Sequence, residues 1–368
     1  MLYDLLNKHN AEFFLQYGSG KDANFYYSTS FKIPDAALYI IGSDGTDLLV
    51  VSEMEKNRAE KESKVKEIAS LADLGYYENL KELKDSKKAL AITYVNLLKG
   101  HKARKILIPP NFPSFLAFHL QNYFEVVIVD NPFSKLRMVK RKDEIEKIKD
   151  VGNAIVQAFG YFMKILRQHS KCEELRNEVE LFLFKNGYLA EDTIISSGEE
   201  SANPHSIGFG EIKDHVIFDV FPKSRTHGYY SDFTRTVIVN ENKEIEEMLD
   251  AVVEAQEKAI SMIRDGVMAK DVHNAVCDIL ESKGYHTIRK KFKEGFIHST
   301  GHGIGLEVHE EPRIFENDEV LKAGMVVTVE PGLYYKRIGG VRVEDTVVVR
   351  KNGCEILTPY KKKIKLEA

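Results

Sequence analysis

The second part of this chain repeats one order of predicted elements. Apolar residues recur at helical spacing over 143–168, and a capping pattern begins a second helix over 170–187. Strand-like segments follow, and then helices are predicted again over 243–263 and 269–284, before the segments MVVTVEPGLYY and VRVEDTVVV. Each half therefore ends in a strand pair, and each pair carries two acidic residues. This repetition predicts one central site that the two halves share.

The acidic residues of each strand pair are spaced so that they can share one face. If Asp219 and Asp232 are opposed in a hairpin, the turn falls inside PKSRTHG, which has loop composition. If Glu330 and Glu344 are opposed, the turn falls inside KRIGG. Each hairpin can then present two carboxylates on one face. Glu344 alternates with valines in VRVEDT, a pattern that also fits a solvated strand face.

Buried acids that lack a partner repel each other, and a bound cation is the simplest way to neutralise their charge. Asp219 interrupts the apolar strand VIFDVF, and Glu330 follows the apolar run VVTV. His302 stands between Gly301 and Gly303, which allow the backbone to approach a ligand closely. Four carboxylates balance two divalent cations, and an oxygen-rich set with one imidazole suits Mn, Co, Fe or Zn. The residues predict a metal-dependent hydrolase if these motifs converge.

The first part of the chain predicts a mixed α/β domain without a motif for chemistry. FYYST, ALYIIGS and DLLVVS have strand composition, and a charged helix is predicted over 53–69. KILIPP and FEVVIVD predict buried strands on either side of a helix near 114–122. Pro132 and the charged segment SKLRMVKRKDE mark a boundary, which predicts domains at 1–135 and 136–368.

Composition excludes several classes of protein. A net charge of −4 over 368 residues gives no broad basic surface, so we expect no nucleic-acid partner, and the basic segment KKKIKLEA is predicted to be a solvated end. No apolar run approaches the ~20 residues of a membrane helix, and the N-terminus lacks a signal pattern. Cys172, Cys277 and Cys354 are widely spaced, which predicts reduced structural thiols in a cytoplasmic protein.

Together these motifs resemble the pita-bread metallopeptidases, which include methionine aminopeptidase, aminopeptidase P, prolidase and creatinase. The resemblance covers about 140–360, and the first 135 residues, with NFYYSTSF and LLVVSEMEKNRAE, resemble the N-terminal domain of the prolidase, aminopeptidase P and creatinase branch. It implies an α+β pita-bread domain, an antiparallel sheet backed by helices, after a smaller mixed α/β creatinase-like domain. The short spacing from Glu330 to Glu344 is similar to prolidase and aminopeptidase P.

The resemblance also implies a role for each ligand. Two divalent ions are expected, Mn or Co before Zn or Fe. Asp219 would chelate one metal, His302 and Glu330 would bind the other, and Asp232 and Glu344 would bridge both. Glu330 is in addition the implied proton shuttle.

Three further residues match positions that contact substrate in this family, and a fourth, Arg342, is predicted from its place on the strand of Glu344. His205, in SANPHS, matches a histidine near the scissile bond, and His309, in VHEEP, matches one that steadies the tetrahedral intermediate. Arg313 matches a position that holds the free carboxylate of the substrate in some prolidases. Arg342, two residues before Glu344, either touches substrate or orients the acids. The segment FPKSRTH is two residues longer than the usual form of its motif. The resemblance therefore leaves the details of substrate binding undetermined, but not the metal ligands.

The activity implied is hydrolysis of the Xaa-Pro bond of small peptides whose second residue is proline. An Xaa-Pro dipeptidase fits first, with an Xaa-Pro aminopeptidase acting on longer peptides as the alternative. A non-catalytic binding protein on the same fold and a creatinase-like C–N hydrolase are further alternatives. N-terminal domains of this branch often mediate dimerisation, so the resemblance also implies a homodimer.

Overall fold

A computed structural model describes residues 2–366, in two units divided between Arg137 and Met138. The strands of the first unit are β1 (Phe13–Gly18), β2 (Ala37–Gly42), β3 (Asp47–Val51), β4 (Glu67–Ser70), β5 (Lys105–Ile108) and β6 (Glu125–Ile128). Its helices are α1 (Leu2–His9), α2 (Ala23–Thr29), α3 (Lys56–Glu62), α4 (Tyr76–Leu83), α5 (Ser86–Gly100), α6 (Ser114–Leu120) and α7 (Pro132–Met138). The strands form one mixed sheet in the order β4-β3-β2-β1-β5-β6, with an apolar cluster on each face.

Two predictions for this unit are wrong. The segment FYYST lies in α2 and is not a strand, because Asp22 caps the helix by accepting a hydrogen bond from Phe25 N (2.8 Å) and Phe25 is buried. This cap and the burial of one face outweigh the strand preference of the aromatic run. The helix predicted over 53–69 is interrupted, since α3 ends at Glu62 and residues 67–70 pair with β3 as a parallel strand.

The second unit combines two pairs of helices with a large sheet. The helices are α8 (Lys142–Ile165), α9 (Cys172–Lys185), α10 (Lys243–Met262) and α11 (Ala269–Ser282). The strands before α10 are β7 (Tyr188–Leu189), β8 (Ile194–Ser197), β9 (His215–Val220), β10 (Lys223–Ser224) and β11 (Phe233–Ile238). Those after α11 are β12 (Gly301–Gly303), β13 (Glu310–Ile314), β14 (Val326–Val329), β15 (Gly332–Tyr335), β16 (Gly339–Arg342), β17 (Glu344–Arg350), β18 (Gly353–Ile356) and β19 (Ile364–Lys365). The predicted order, two helices and then a strand pair in each half, is confirmed.

The main sheet of this unit has nine strands and a helix pair packed against each half. Seven strands run in the order β13-β12-β14-β17-β11-β9-β8, while β18 pairs with β17 and β19 with β11. Apolar residues of α8 and α9 pack on β8, β9 and β11, and those of α10 and α11 pack on β14 and β17. The apolar periodicity of each helix explains this packing, because one stripe of each helix faces the sheet.

The basic segment KKKIK is exposed at Lys361, Lys363 and Lys365, as predicted, but it is also structured, and residues 367–368 of the predicted end lie outside the described residues. Residues 364–365 form β19, which pairs in parallel with β11. Lys363 forms an ion pair with Asp250 (2.7 Å), and Lys365 forms one with Glu246 (3.4 Å), both on α10. The acidic side of α10 therefore attracts the lysines and holds this segment against the sheet.

The three cysteines form no disulfide with one another in the structure. Cys172, Cys277 and Cys354 are free, and burial raises the pKa of each thiol to about 11. Such thiols are poor nucleophiles at neutral pH, which is consistent with a structural role. Among residues 2–366, no helix is both long and apolar enough to cross a membrane.

Candidate metal centre and active site

Five neighbouring strands of the main sheet each bring one predicted metal ligand to the same place. In sheet order, His302 lies on β12, Glu330 directly follows β14, Glu344 begins β17, Asp232 directly precedes β11, and Asp219 lies on β9. Four of the five are buried, and Glu330 is half-buried. Residues separated by more than a hundred positions thus converge because their strands are adjacent in the sheet.

The distances between side chains show how closely three of the ligands approach. Potential ligand atoms of Asp232, His302 and Glu344 all lie within 4.8 Å of one another. His302 Nε2 is 4.0 Å from Asp232 Oδ2 and 3.4 Å from Glu330 Oε1. An imidazole and several carboxylate oxygens therefore surround one small volume, an arrangement suited to a divalent cation.

The strand register corrects one predicted hairpin and agrees with the other. Asp219 pairs with Thr234, so it is not directly opposite Asp232, although strand alternation still places Asp232 on the same face. In the second hairpin, Val329 pairs with Asp345 and Gly332 pairs with Arg342. Glu330 lies between these two pairs, and the same register places it opposite Glu344. The register of the first hairpin is thus shifted by two positions from the predicted one, and Asp232 directly precedes its first paired residue, Phe233.

The two glycines beside His302 allow close packing between strands, a role that was not predicted. A Cβ added at Gly301 would collide with the carbonyl oxygen of Thr328 on β14. A Cβ added at Gly303 would collide with the carbonyl oxygen of Glu311 on β13. Glycine at both positions therefore lets β12 fit between its neighbours, which fixes the height of His302 above the sheet.

Burial and mutual repulsion shift the protonation of the acidic ligands. Burial raises the pKa of Asp232 well above its usual range, and Asp219 and Glu330 add to the effect. Burial likewise raises the pKa of Glu344, with Asp232 as the next cause, and burial raises the pKa of Glu330. These carboxylates resist ionisation beside one another unless positive charge is added.

Two observations indicate that the residues present fit divalent cations. Among the described residues, Asp219 Oδ1 and Glu344 Oε1 are buried without a hydrogen-bond partner. Burial also lowers the pKa of His302 to about 4, so its imidazole is neutral at physiological pH, the form that binds metals. Unpartnered carboxylate oxygens and a neutral imidazole are the donors that two cations would use.

We expect the gain in stability from metal to grow as the pH rises. Asp232 and Glu344 have raised pKa values in the folded, metal-free protein, so each contributes stability below its unfolded pKa of about 4 and loses it as the pH rises through the folded value. Cations replace these protons in the loaded protein. Unfolding midpoints measured with chelator and with Mn between pH 5 and 8 should therefore diverge as pH rises, and a constant difference would contradict this.

Arg342 binds the predicted metal ligand Asp219 directly, which favours the predicted role of orienting the acids. Its guanidinium forms a buried ion pair with the Asp219 carboxylate and donates to Tyr334 Oη (2.6 Å). The same side chain approaches Thr234 Oγ1 (3.4 Å), whose hydroxyl donates to Glu344 Oε2 (2.7 Å). Arg342 therefore orients acids of the site.

His298 joins this network and was missed from the sequence. Its Nε2 is 3.1 Å from Tyr334 Oη, and its Nδ1 is 2.8 Å from the carbonyl oxygen of Ser299. Burial lowers the pKa of His298, while the nearby Glu330 opposes this shift. The even spacing from His298 to His302 was the available signal, because residues four apart in an extended segment share a face.

Two of the three remaining predicted residues, His309 and Arg313, lie beside His302. The ring of His309 packs edge-on against that of His302, with centroids 4.3 Å apart. Burial lowers the pKa of His309 to about 4, with His302 and then His205 as further causes. Arg313 is exposed and pairs with His302 across the β12–β13 ladder, so both side chains are on one face. His205 is also exposed.

A second missed network fixes the turn that precedes His205. Ser201 Oγ lies 2.9 Å from His215 Nε2, and His215 Nδ1 lies 2.8 Å from Asp214 Oδ1. Ser201 Oγ also accepts a hydrogen bond from Gly340 N (2.7 Å) in β16, the strand that carries Arg342. Both Ser201 and His215 are fully buried, so this serine–histidine–aspartate chain anchors the backbone and is closed to substrate.

The chain is similar in sequence and in structure to several known proteins. Residues 146–351 match the sequence profile of metallopeptidase family M24. The chain is 32% identical over 351 residues to an Xaa-Pro dipeptidase from Pyrococcus furiosus, covering 94% of this chain and 93% of that protein. A prolidase structure from Pyrococcus horikoshii has a TM-score of 0.82 at 29% identity, with 98% and 97% coverage. An X-Pro aminopeptidase structure from Thermotoga maritima has a TM-score of 0.81 at 28% identity, with 97% and 98% coverage. These similarities confirm the predicted α+β pita-bread fold.

Proposed function

The chain belongs to metallopeptidase family M24 and is a metallopeptidase, and we propose that it hydrolyses the Xaa-Pro bond of dipeptides. The observation that carries this proposal is the set of five ligands on five adjacent strands, in a chain similar over most of its length to an Xaa-Pro dipeptidase. Hydrolysis of longer Xaa-Pro peptides is the second candidate, favoured by the comparable similarity to the X-Pro aminopeptidase structure.

We infer that Asp219, Asp232, His302, Glu330 and Glu344 hold two divalent cations, with Mn or Co preferred. These cations would supply Lewis-acid activation of water and of the scissile carbonyl. Glu330 is suited to carry the proton from water to the leaving nitrogen, because its carboxylate lies among the predicted ligands, with Oε1 3.4 Å from His302 Nε2. Thr328 Oγ1 donates to Glu330 Oε1 (3.4 Å), which helps to orient the carboxylate.

The histidines and the exposed arginine would bind the substrate. His309 stands beside His302 with a neutral imidazole, so its N–H can donate to an oxygen that becomes negative during attack. His205 would contact the peptide near the scissile bond. Arg313 would hold the free carboxylate of a dipeptide, because within the described part of the chain no acidic side chain lies at ion-pair distance from its guanidinium.

A direct assay tests the proposed reaction. Purified protein loaded with Mn or Co should release proline from Ala-Pro and Met-Pro faster than it cleaves Ala-Pro-Ala. Faster cleavage of Ala-Pro-Ala would favour the aminopeptidase. If folded protein that holds two metal equivalents cleaves none of the three peptides, the proposed function is wrong.

Arg313→Ala should raise KM for Ala-Pro by about 10-fold or more and change KM for Ala-Pro-Ala much less. The free carboxylate of a dipeptide lies beside its proline, whereas that of a tripeptide is one residue further away, and a charge-assisted hydrogen bond contributes about 1.5–3 kcal/mol. Arg337→Ala, which removes an exposed arginine from the β15–β16 turn, is the matched control. Equal effects of Arg313→Ala on both peptides would remove the argument for a carboxylate clamp.

We also infer a homodimer in the cytoplasm, from the family resemblance of the first unit and from the free, buried thiols. Light scattering on the full chain would measure the molecular mass in solution. A mass of one chain across the working concentration range would contradict the dimer.

A further inference from the structure

A buried carboxylate closes the loop that carries His309. Residues 304–309 connect β12 to β13, and Gly303 pairs with Glu310 at the base of this loop. Glu310 Oε1 accepts hydrogen bonds from two backbone groups inside the loop, Leu306 N (2.7 Å) and Glu307 N (3.1 Å). The side chain of a residue outside the loop therefore satisfies two of its amides and fixes its curvature.

The other oxygen of the same carboxylate faces a buried lysine. Lys140 Nζ donates to Glu310 Oε2 (3.3 Å), and the two side chains are only 2% and 5% exposed. Removing one partner from a buried ion pair leaves an uncompensated charge, so this pair strongly favours one position of the carboxylate. Two amides and one ammonium group thus form an anion site inside the protein, which Glu310 occupies.

The loop is shaped to fit around this carboxylate. A Cβ added at Gly305 would lie 2.7 Å from Glu310 Oε1 and 3.0 Å from Oε2, so only glycine leaves room for both oxygens. The carbonyl oxygen of Gly305 also accepts a hydrogen bond from Tyr230 N (2.7 Å) in the segment between β10 and β11. The loop is therefore held from both sides, by Glu310 and by the hairpin that carries Asp232.

From these contacts we propose that Glu310 is a positioning residue, whose carboxylate closes loop 304–309 and so holds His309 against His302. This inference rests on the proposed function, in which His309 contacts the reacting peptide. His309 immediately precedes Glu310, and its ring packs on that of His302 at a centroid distance of 4.3 Å. Glu310 acts on the reaction through the position of His309 and touches no reacting atom.

Glu310→Ala tests this proposal, because the substitution empties the internal anion site while its donors remain. We expect kcat for Ala-Pro to fall about 10- to 100-fold with little change in KM, since an oriented histidine acts mainly in the transition state. Two metal equivalents should still bind. Formate added to the variant should enter the empty site and recover about tenfold in kcat with saturation, because it restores a carboxylate between Lys140 and the two amides.

Three comparisons separate positioning from a general loss of stability. In a His309→Ala background, Glu310→Ala should cost less than about twofold, and formate should have no effect on His309→Ala alone. Asp85→Ala is the matched control, because Asp85 Oδ1 also accepts two backbone amides (Lys87 N, 3.0 Å; Lys88 N, 3.1 Å), but in the first unit. It should leave kcat unchanged.

If Glu310→Ala is insoluble, Glu310→Gln, which keeps one acceptor oxygen, should show a smaller fall in kcat.

Amide exchange gives a readout that does not depend on the substrate. In the metal-loaded protein, exchange at Leu306 and Glu307 should accelerate in Glu310→Ala and slow again with formate. Unchanged exchange, loss of metal, or additive effects of Glu310→Ala and His309→Ala would each overturn the proposal. Altered exchange in a protein that cleaves no Xaa-Pro peptide would leave the loop closure valid and refute the proposed function instead.

Discussion

Asp232→Asn should stabilise the metal-free protein and at the same time remove most of its activity. In chelator, the substitution removes a buried carboxylate whose pKa is raised by burial, by Asp219 and by Glu330. We expect the free energy of unfolding at pH 7 to rise by about 1–3 kcal/mol, the usual size of a single-site effect. With Mn present, the neutral amide is a poor bridge, so activity should fall by more than the 10- to 100-fold typical of residues that only orient a ligand.

Urea unfolding with and without Mn measures the stability part of this result, and metal analysis counts the cations bound. Glu355→Gln is a matched control, since it neutralises an exposed carboxylate that pairs with Lys149 (3.0 Å) on the same unit. That variant should bind both cations with wild-type activity. A lower midpoint for Asp232→Asn in chelator would mean that the carboxylate supports the metal-free fold, contrary to the repulsion inferred here.

Arg342→Ala should destabilise the metal-free protein by about 3–5 kcal/mol, the cost of breaking a buried ion pair from one side. Asp219 would lose its ion-pair partner, and Tyr334 would lose the guanidinium that donates to its hydroxyl. Metal should reduce this cost, because cations supply positive charge to Asp219 in place of arginine. We also expect activity to fall at least 10-fold, since the carboxylate of Asp219 would no longer be oriented.

Arg342→Lys is the matched variant, because it keeps the charge and loses the planar fork. A lysine can keep an ion pair with Asp219 but cannot also reach Tyr334 and Thr234, so its stability and activity should lie between those of wild type and Arg342→Ala. Urea unfolding in chelator and in Mn measures the stability of each variant, and the Ala-Pro assay measures its activity. Equal destabilisation by Arg342→Ala in the two conditions would show that Asp219 does not need this counter-charge.

Two of the predicted ligands, Asp219 and Glu330, were accessible from the sequence because each breaks a local rule. Asp219 interrupts an apolar strand and Glu330 ends another, and a buried acid is too costly to occur there without a reason. The opposition of Glu330 and Glu344 followed from spacing alone, because a tight turn fixes the register on both of its arms. In the first hairpin the residue opposite Asp219 is Thr234, two positions beyond the predicted Asp232, since a longer loop does not fix its register.

Other parts of the site depend on contacts that no local pattern encodes. Glu310 gave no signal, because its partners are two backbone amides and a lysine 170 positions away. Tyr334 and His298 resemble ordinary strand and loop residues until the fold brings them together. The ion pairs of the exposed segment KKKIK were missed for the same reason, since the acidic side of α10 that binds it lies about a hundred residues earlier in the sequence.

The strand β19 has a consequence for the timing of maturation during protein synthesis. Arg235, fully buried on β11, donates to the carbonyl oxygens of Tyr360 (3.2 Å) and Lys361 (2.9 Å), and also to that of Glu344 (2.6 Å). The ribosome makes these two carbonyls after all five ligands. Until they emerge, Arg235 has only its acceptors on Thr234, Glu344 and Asp345, and the end of β11 lacks its parallel partner β19. The sheet that carries the five predicted ligands should therefore reach its full stability only after β19 has been made.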